Sequence, residues 1–375
     1  MTKTRFQAGS ALVLAGLISF PNIAAATDFT LKVGGRVHLD YTLGDLNTPD
    51  MDLNGGEIRR ARLNVSGKYG DAIKYKFEVN HETGDDITVK DAYLQFIPQN
   101  SPFKIKVGQF KTHVSLDEQN SSRFMSTLER SAFTDAFDFG RRLGVSVNTS
   151  GDNYTFDAGV FTADLEDDPD GSYALSARGT YNPVKTDDTL VHLGVSWRYR
   201  NQDAEDGELL RFRQRPYTHS TSFRIVQTDR FAGSDNFFGA EAAIFHKNLW
   251  AAGEYGYTAA NGTGAEPDAD FNGFYGEVGA FIGGRRTYKG GKFNRPKVDN
   301  PLGEGGMGAL AFVARYDRLD LQDNIRQGEL ETIVIGADWW PTKYTRLGLN
   351  YFNVDAENGA AGSGNGVVGR IQFDF

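Results

Sequence analysis

The sequence contains no cysteine, which excludes a disulfide framework, thiolate chemistry and any metal site built on sulfur. Proline is scarce, 11 of 375 residues, and beyond the N-terminus no apolar run approaches the roughly 20 residues that a helical membrane span needs. No change of composition marks a linker, so the mature chain reads as one domain. The six histidines, His38, His81, His113, His192, His219 and His246, fall in no recognisable nucleophile or metal motif. A barrel enzyme such as a lipase or protease would need a nucleophile and a base on neighbouring strand ends. The expectation is therefore no catalytic residue, no cofactor, no metal and no nucleic-acid partner.

What is present is a strand-and-turn mixture, with 27 Phe, 16 Tyr and 44 Gly. Residues 1–26 have the parts of a secretory signal: Lys3 and Arg5, then apolar Ala8 to Phe20, then Ala24-Ala25-Ala26 before Thr27. A membrane anchor is the alternative, but the apolar run is too short to span. In the mature part, 27–375, apolar and polar residues alternate with period two. Leu31, Val33, Val37, Leu39 and Tyr41 interleave with Lys32, Gly34, Arg36, His38 and Asp40, and Ala61, Leu63 and Val65 with Arg60, Arg62, Asn64 and Ser66. Such strands show one face to an apolar medium and the other to water.

Two features favour a membrane barrel over a soluble sandwich. The segments have about the 9 to 11 residues that a tilted strand needs to cross a bilayer. Tyr41, Tyr69, Trp197, Tyr199, Tyr255, Tyr257 and Trp339 fall at their ends, as an interfacial girdle requires. After three segments within 31–80, others follow at 86–97, 103–109, 142–149, 154–163, 172–182, 189–200, 237–246, 249–258, 271–281, 308–319, 330–339, 345–354 and 367–375. The reading is all-β: a transmembrane antiparallel β-barrel of about 16 strands, with both termini in the periplasm and a polar lumen. The closing Arg370 to Phe375 alternates and ends on Phe, like the last strand of bacterial outer-membrane barrels.

Two stretches break the period. Gly108 to Arg142 is far longer than a hairpin connection of about two to five residues, and reads as a constriction loop folded into the barrel. Residues 282–306 fall on the periplasmic side by strand parity and carry Arg285, Arg286, Lys289, Lys292, Arg295 and Lys297. They are expected to narrow the lumen from below; a missed strand or a disordered excursion would also account for them.

The net charge of -9 would suit cations if it were spread evenly. Acid instead gathers in outer loops at 164–170 and 203–208. The face assigned to the lumen collects Lys32, Arg36, Arg60, Arg62, Lys68, Lys74, Lys76, Lys104, Lys106, Arg142, Arg178, Arg198, Arg200, Arg315 and Arg346, against a few carboxylates such as Asp40, Glu78, Asp91 and Glu277. Cationic rings concentrate anions and repel cations. Arg198 and Arg200, continued by Arg211, Arg213 and Arg215 and then Arg224, read as an arginine ladder with rungs about 6.6 Å apart if extended. The alternative is a basic loop lying on anionic lipopolysaccharide.

Gly108-Gln109-Phe110, Ser121-Ser122-Arg123-Phe124, Glu129-Arg130 and Gly140-Arg141-Arg142 together resemble the constriction loop of the phosphate-selective porins O and P. Ile58-Arg59-Arg60-Ala61-Arg62, Asp91-Ala92-Tyr93-Leu94 and Ala314 to Leu321 extend the likeness over the mature chain. The resemblance implies a homotrimer in outer-membrane lipid and lipopolysaccharide, with an arginine ladder leading to a central site for phosphate or other small anions. Carried over, the anion-binding candidates are Arg36, Arg59, Arg60, Lys74 or Lys76, Asp91, Ser121, Ser122 and Arg123, with Arg62 on the same strand. Strand parity favours Arg60 over Arg59 and Lys76 over Lys74. Asp91 would accept the proton of a hydrogen-bearing phosphate, or orient Arg60 or Lys76. The family's phosphate pores carry Lys where this chain has Arg123, a planar fork in place of a point charge. Anion selectivity is expected to survive that change, while preference for phosphate stays open. The expected activity is passive diffusion of anions; a porin for other anionic solutes, a general porin and a plugged structural barrel are the alternatives.

Overall fold

In β1 (Phe29–Leu46) the buried residues from 36 to 43 are the polar ones. Arg36, His38, Asp40 and Thr42 are buried, whereas Val37, Leu39, Tyr41 and Leu43 between them are exposed. A soluble sheet would be built the other way round; a strand between lipid and a polar lumen is built like this. The computed structural model describes residues 29–47, 53–163, 171–202, 208–323 and 325–375. Residues 1–26, expected to be a secretory signal, the acidic stretch 164–170 and nearly all of 203–208 lie outside the described residues.

Along the chain follow β2 (Gly55–Tyr69), β3 (Ile73–His81), β4 (Thr88–Phe96) and β5 (Lys104–Lys111). The short helices α1 (Leu116–Gln119) and α2 (Ala132–Ala136) lie in the next connection, before β6 (Arg141–Ser150), β7 (Tyr154–Phe161), β8 (Tyr173–Lys185) and β9 (Thr189–Asn201). Two small strands, β10 (Arg213–Gln214) and β11 (Val226–Gln227), pair within the long outer loop. Then come β12 (Ala232–His246), β13 (Leu249–Gly262) and β14 (Ala269–Ile282), and the hairpin β15 (Gly284–Tyr288) and β16 (Phe293–Val298). The chain ends with β17 (Ala309–Asp320), β18 (Glu329–Thr342), β19 (Thr345–Glu357) and β20 (Gly364–Asp374).

Sixteen of these strands close into one antiparallel barrel, β1 pairing with both β2 and β20. The architecture is the one the alternation implies, strand for strand. Both irregular stretches fold inward: the β5–β6 connection crosses the lumen, and the β15–β16 hairpin rises into it from the periplasmic side.

One expectation is corrected. The lumen is polar only along part of its circumference. Phe237, Phe271, Tyr275, Val334 and Phe352 also point inward, and they pack against Phe133, Phe137 and Phe139 of the β5–β6 connection and Phe212 and Val226 of the outer loop. Loops folded into a barrel need apolar area to bury, and the strands behind them supply it, so a dry aromatic core occupies that side. The open space is left against β1–β5 and the first residue of β6. Phe133 sits at the core's centre, with ring centroids 6.0 Å from Phe137 and 6.4 Å from both Phe139 and Tyr275. Phe133→Ala is expected to cost about 3–5 kcal/mol, seen as a lower urea midpoint of the folded barrel, with added current noise as the loop loosens.

Candidate functional site

The 112–140 connection crosses the lumen because the far wall supplies partners for its backbone. Glu254 on β13 accepts the amides of Leu116 and Asp117 at 2.8 and 2.6 Å, Asp317 on β17 that of Ala132 at 2.8 Å, and Asn350 on β19 that of Leu128 at 2.8 Å. Arg346 donates to the carbonyls of Met125 and Ser126 at 3.0 and 3.1 Å, Arg370 to that of Leu128 at 2.7 Å, and Gln372 to that of Arg123 at 3.1 Å. From below, Arg286 donates to the Phe124 carbonyl at 2.7 Å and the Phe293 amide to Asn120 Oδ1 at 2.9 Å. Backbone groups that a loop would otherwise leave unpaired are met by wall and hairpin.

Between this loop and the near wall lies a cavity of about 340 Å³. Its lining includes Arg36 of β1, Arg60 and Arg62 of β2, Lys76 of β3, Lys106 of β5, Arg123 of the loop and Lys292 of the hairpin turn. Among the described residues that line it, ten Lys and Arg side chains face three carboxylates, Glu78, Asp91 and Glu118. Arg36 donates through Nη1 to Ser122 Oγ at 2.9 Å and Ser121 Oγ at 3.4 Å, and through Nη2 to Glu78 at 3.0 Å. With those serine oxygens acting as acceptors, their O–H groups are left to donate elsewhere. Lys76 bridges Asp91 at 2.5 Å and Glu78 at 3.2 Å, and Arg141 meets the other Asp91 oxygen at 2.7 Å. Arg60 has a carboxylate no nearer than Glu129 at 4.0 Å, and its Nη1 has no protein partner.

Arg123 keeps 26 % of its side chain exposed, with Nη1 3.6 Å from Asp374 and its guanidinium 5.0 Å from the Phe124 ring. Burial, and then neighbouring Arg36, push it down to about 10, so it remains a cation at neutral pH. Lys106 rests over the rings of Tyr93 and Phe110 at 5.1 and 4.8 Å, a cation held by aromatic faces. The Lys292 side chain is open to the lumen at the hairpin turn, but the walls enclosing the chamber partly strip its hydration, and this, then Lys106 and Arg178, brings it down to about 8. Raising pH through that value removes a positive charge from the chamber. The chloride-over-potassium permeability ratio is therefore expected to fall between pH 7 and 9, and Lys292→Met to flatten that step.

The structure brings Arg36, Arg60, Arg62, Lys76, Asp91, Ser121, Ser122 and Arg123 onto one cavity and leaves Lys74 and Arg59 off it. Parity does not explain Arg59. His38 pairs with Arg60 and Leu39 with Ile58, so Arg59 is the extra residue of a β-bulge, and both arginines turn inward and are buried. Arg59 is taken by Glu129, Nε and Nη2 each donating at 2.9 Å. Lys74 lies one residue from the periplasmic end of β3, across the ladder from Lys68 of β2. Asp91 orients Lys76, and Arg141 rather than Arg60. Arg142, which alternation points inward, donates to the Thr162 carbonyl at 3.2 Å instead.

The ladder is also corrected. Arg198 and Arg200 are buried and share Asp235 Oδ2 at 2.8 and 2.7 Å, while Asp138 takes their remaining Nη1 groups. They fasten the wall to the loop and are not free rungs. Arg211, Arg213, Arg215 and Arg224 do cluster in the outer loop: Arg224 is pushed down to about 10 by burial and then by Arg215 and Arg213. Sequence reasoning assigned no role to Glu129, Arg141 or Lys292 in the site: Glu129 and Lys292 lie outside regular strands, and Arg141 is the first residue of β6, ahead of the alternating segment from which a direction could be read.

The family model described as phosphate-selective porin O and P matches residues 31–375. Porin O of Pseudomonas aeruginosa is 27% identical over 412 residues, covering 94% of this chain and 90% of that protein. An uncharacterized protein of Caulobacter vibrioides is 35% identical over 378 residues, covering 93% of this chain and 74% of its own length. Among solved structures, the anion-selective porin from Comamonas acidovorans superposes with a TM-score of 0.60 at 13% identity, covering 93% of this chain and 100% of that one, a likeness of fold.

Proposed function

The chain belongs to the family of phosphate-selective porins O and P and is an outer-membrane β-barrel porin, and from that premise we propose that it carries passive, anion-selective diffusion of phosphate or a related oxyanion through the chamber beside β1–β5. The observation that carries this reading is the composition of the chamber wall, ten cationic side chains against three carboxylates, with the two hydroxyls of Ser121 and Ser122 among them. Guanidinium and ammonium groups only donate hydrogen bonds, which suits a fully ionised oxyanion. The three carboxylates are each tied to cations, Glu78 to Arg36, Asp91 to Lys76 and Arg141, Glu118 to Arg130 and Lys111. They temper the field without cancelling it, and conduction needs binding strong enough to admit an ion and weak enough to release it. Assembly as a homotrimer in lipid and lipopolysaccharide is part of the reading, and the mass of the detergent-purified complex tests it.

Arg123 in place of Lys is the observation that favours a second reading, a porin whose preferred anion is not phosphate. Titrating phosphate against a chloride current separates the two: saturable block supports an oxyanion site, equal block by sulfate supports the broader reading, and no block argues against a site. A hydrolase reading draws on the chain Tyr288–His192–Glu241, bonded at 2.7 and 2.9 Å. Glu241 is already held by Arg178, and the tyrosine fastens the hairpin to the wall, so lipase and protease assays are expected to read blank.

A further inference from the structure

Glu129 sits in the constriction loop facing three guanidinium groups. Its Oε1 accepts from Arg59 Nε at 2.9 Å and Arg370 Nη2 at 2.7 Å, and its Oε2 from Arg59 Nη2 at 2.9 Å, with Arg60 Nη2 at 4.0 Å. Arg370 has a second partner in Asp40, at 2.7 and 2.6 Å, and Arg59 a second in Glu82 at 3.2 Å. Arg60 has neither, and Arg60 is the member of the trio that lines the chamber. The bulge at Arg59 gives this part of the wall one inward cation more than a regular strand would have. A loop carboxylate stands against that extra cation.

We propose that Glu129 is a positioning residue that sets how tightly the chamber holds its anion, acting as the fixed counter-charge of Arg59, Arg60 and Arg370. The inference rests on the reading of the chamber as an anion passage. By occupying Arg59 and Arg370, Glu129 keeps those two cations from adding to the pull of Arg60 on a passing anion. Burial alone would favour its neutral form, but Arg59 and then Arg60 hold the carboxyl well below its ordinary range, so the counter-charge is present throughout the neutral region. A chamber with ten cationic side chains is at risk of trapping its ion rather than passing it. Glu129 reduces that trap without lying in the path, since it does not line the cavity.

The test is phosphate titrated against a chloride current in planar bilayers. Glu129→Gln keeps the shape and removes the charge. Its half-blocking phosphate concentration is expected to fall about tenfold, as one uncompensated charge near the site implies, with a lower limiting current because release slows. Glu129→Asp should stay near the wild type. Arg59→Gln, the opposite change of charge, should raise the half-blocking concentration, and this arm stands even if Glu129→Gln fails to assemble. The double variant should return toward the wild type. A residue that merely pins the loop would give weaker block and noisier current in Glu129→Gln; that result, or unchanged block, overturns the proposal. If the wild type shows no block by phosphate, the oxyanion site fails by itself while the anion passage, read from the reversal potential, still stands. The chloride-over-potassium permeability ratio then judges Glu129, which must rise in Glu129→Gln for the proposal to hold.

Discussion

Replacing Arg123 by glutamate is expected to abolish or reverse the preference for anions while the barrel still assembles. The side chain is at the centre of the constriction loop, lines the chamber beside Arg36 and is partly open to the lumen. The substitution changes the local charge by two. A unit charge about 4 Å from an ion is worth roughly 1 kcal/mol in water and roughly 4 kcal/mol at a protein surface. The chamber, about 340 Å³, is small beside a sphere whose radius is the screening length of about 10 Å at 0.1 M salt, so the change is felt across it. A shift of tens-fold in the permeability ratio follows. The loop should keep its place, because Gln372 holds the carbonyl of residue 123 and not its side chain, and Asp374 retains Arg295. The reversal potential under a salt gradient reads the outcome, and an unchanged ratio would remove Arg123 from the conduction path.

Arg346→Met should have the largest effect on the loop itself. Arg346 is fully buried, donates to both Asp338 oxygens at 2.8 and 2.7 Å, and holds the carbonyls of Met125 and Ser126. Removing it leaves a carboxylate buried without its partner, a loss of about 3–5 kcal/mol, and frees the loop segment next to Arg123. The expected result is a lower urea midpoint, higher and noisier conductance, and weaker block by phosphate. A variant with wild-type stability and quiet current would show that the loop is held by other means.

Those two arginines mark the boundary between what the sequence could and could not disclose. Both are read from the sequence as lying inside the barrel, one in the inward loop and one on a strand, yet one faces the open chamber and the other fastens the loop. Alternation tells which face a strand residue takes, because the pleat has period two, and it led to the strand count, the closed barrel and both inward excursions. It does not tell register. Without register, the carboxylates across the ladder from Arg198, Arg200, Arg315 and Arg346, namely Asp235, Glu277 and Asp338, could not be matched to their cations, and the lumen looked more positive than it is. The bulge at Arg59 shifted parity by one residue within a strand. The aromatic core was hidden for a related reason: inward Phe237, Phe271 and Phe352 become interior only when a loop lies on them.

The claim on which the rest depends is that a net positive chamber, and not the acidic chain as a whole, decides what passes. The reversal potential of the purified wild-type protein in a planar bilayer under a potassium chloride gradient tests it most directly. A value close to the equilibrium potential of chloride is predicted; a value at zero or toward that of potassium would contradict it.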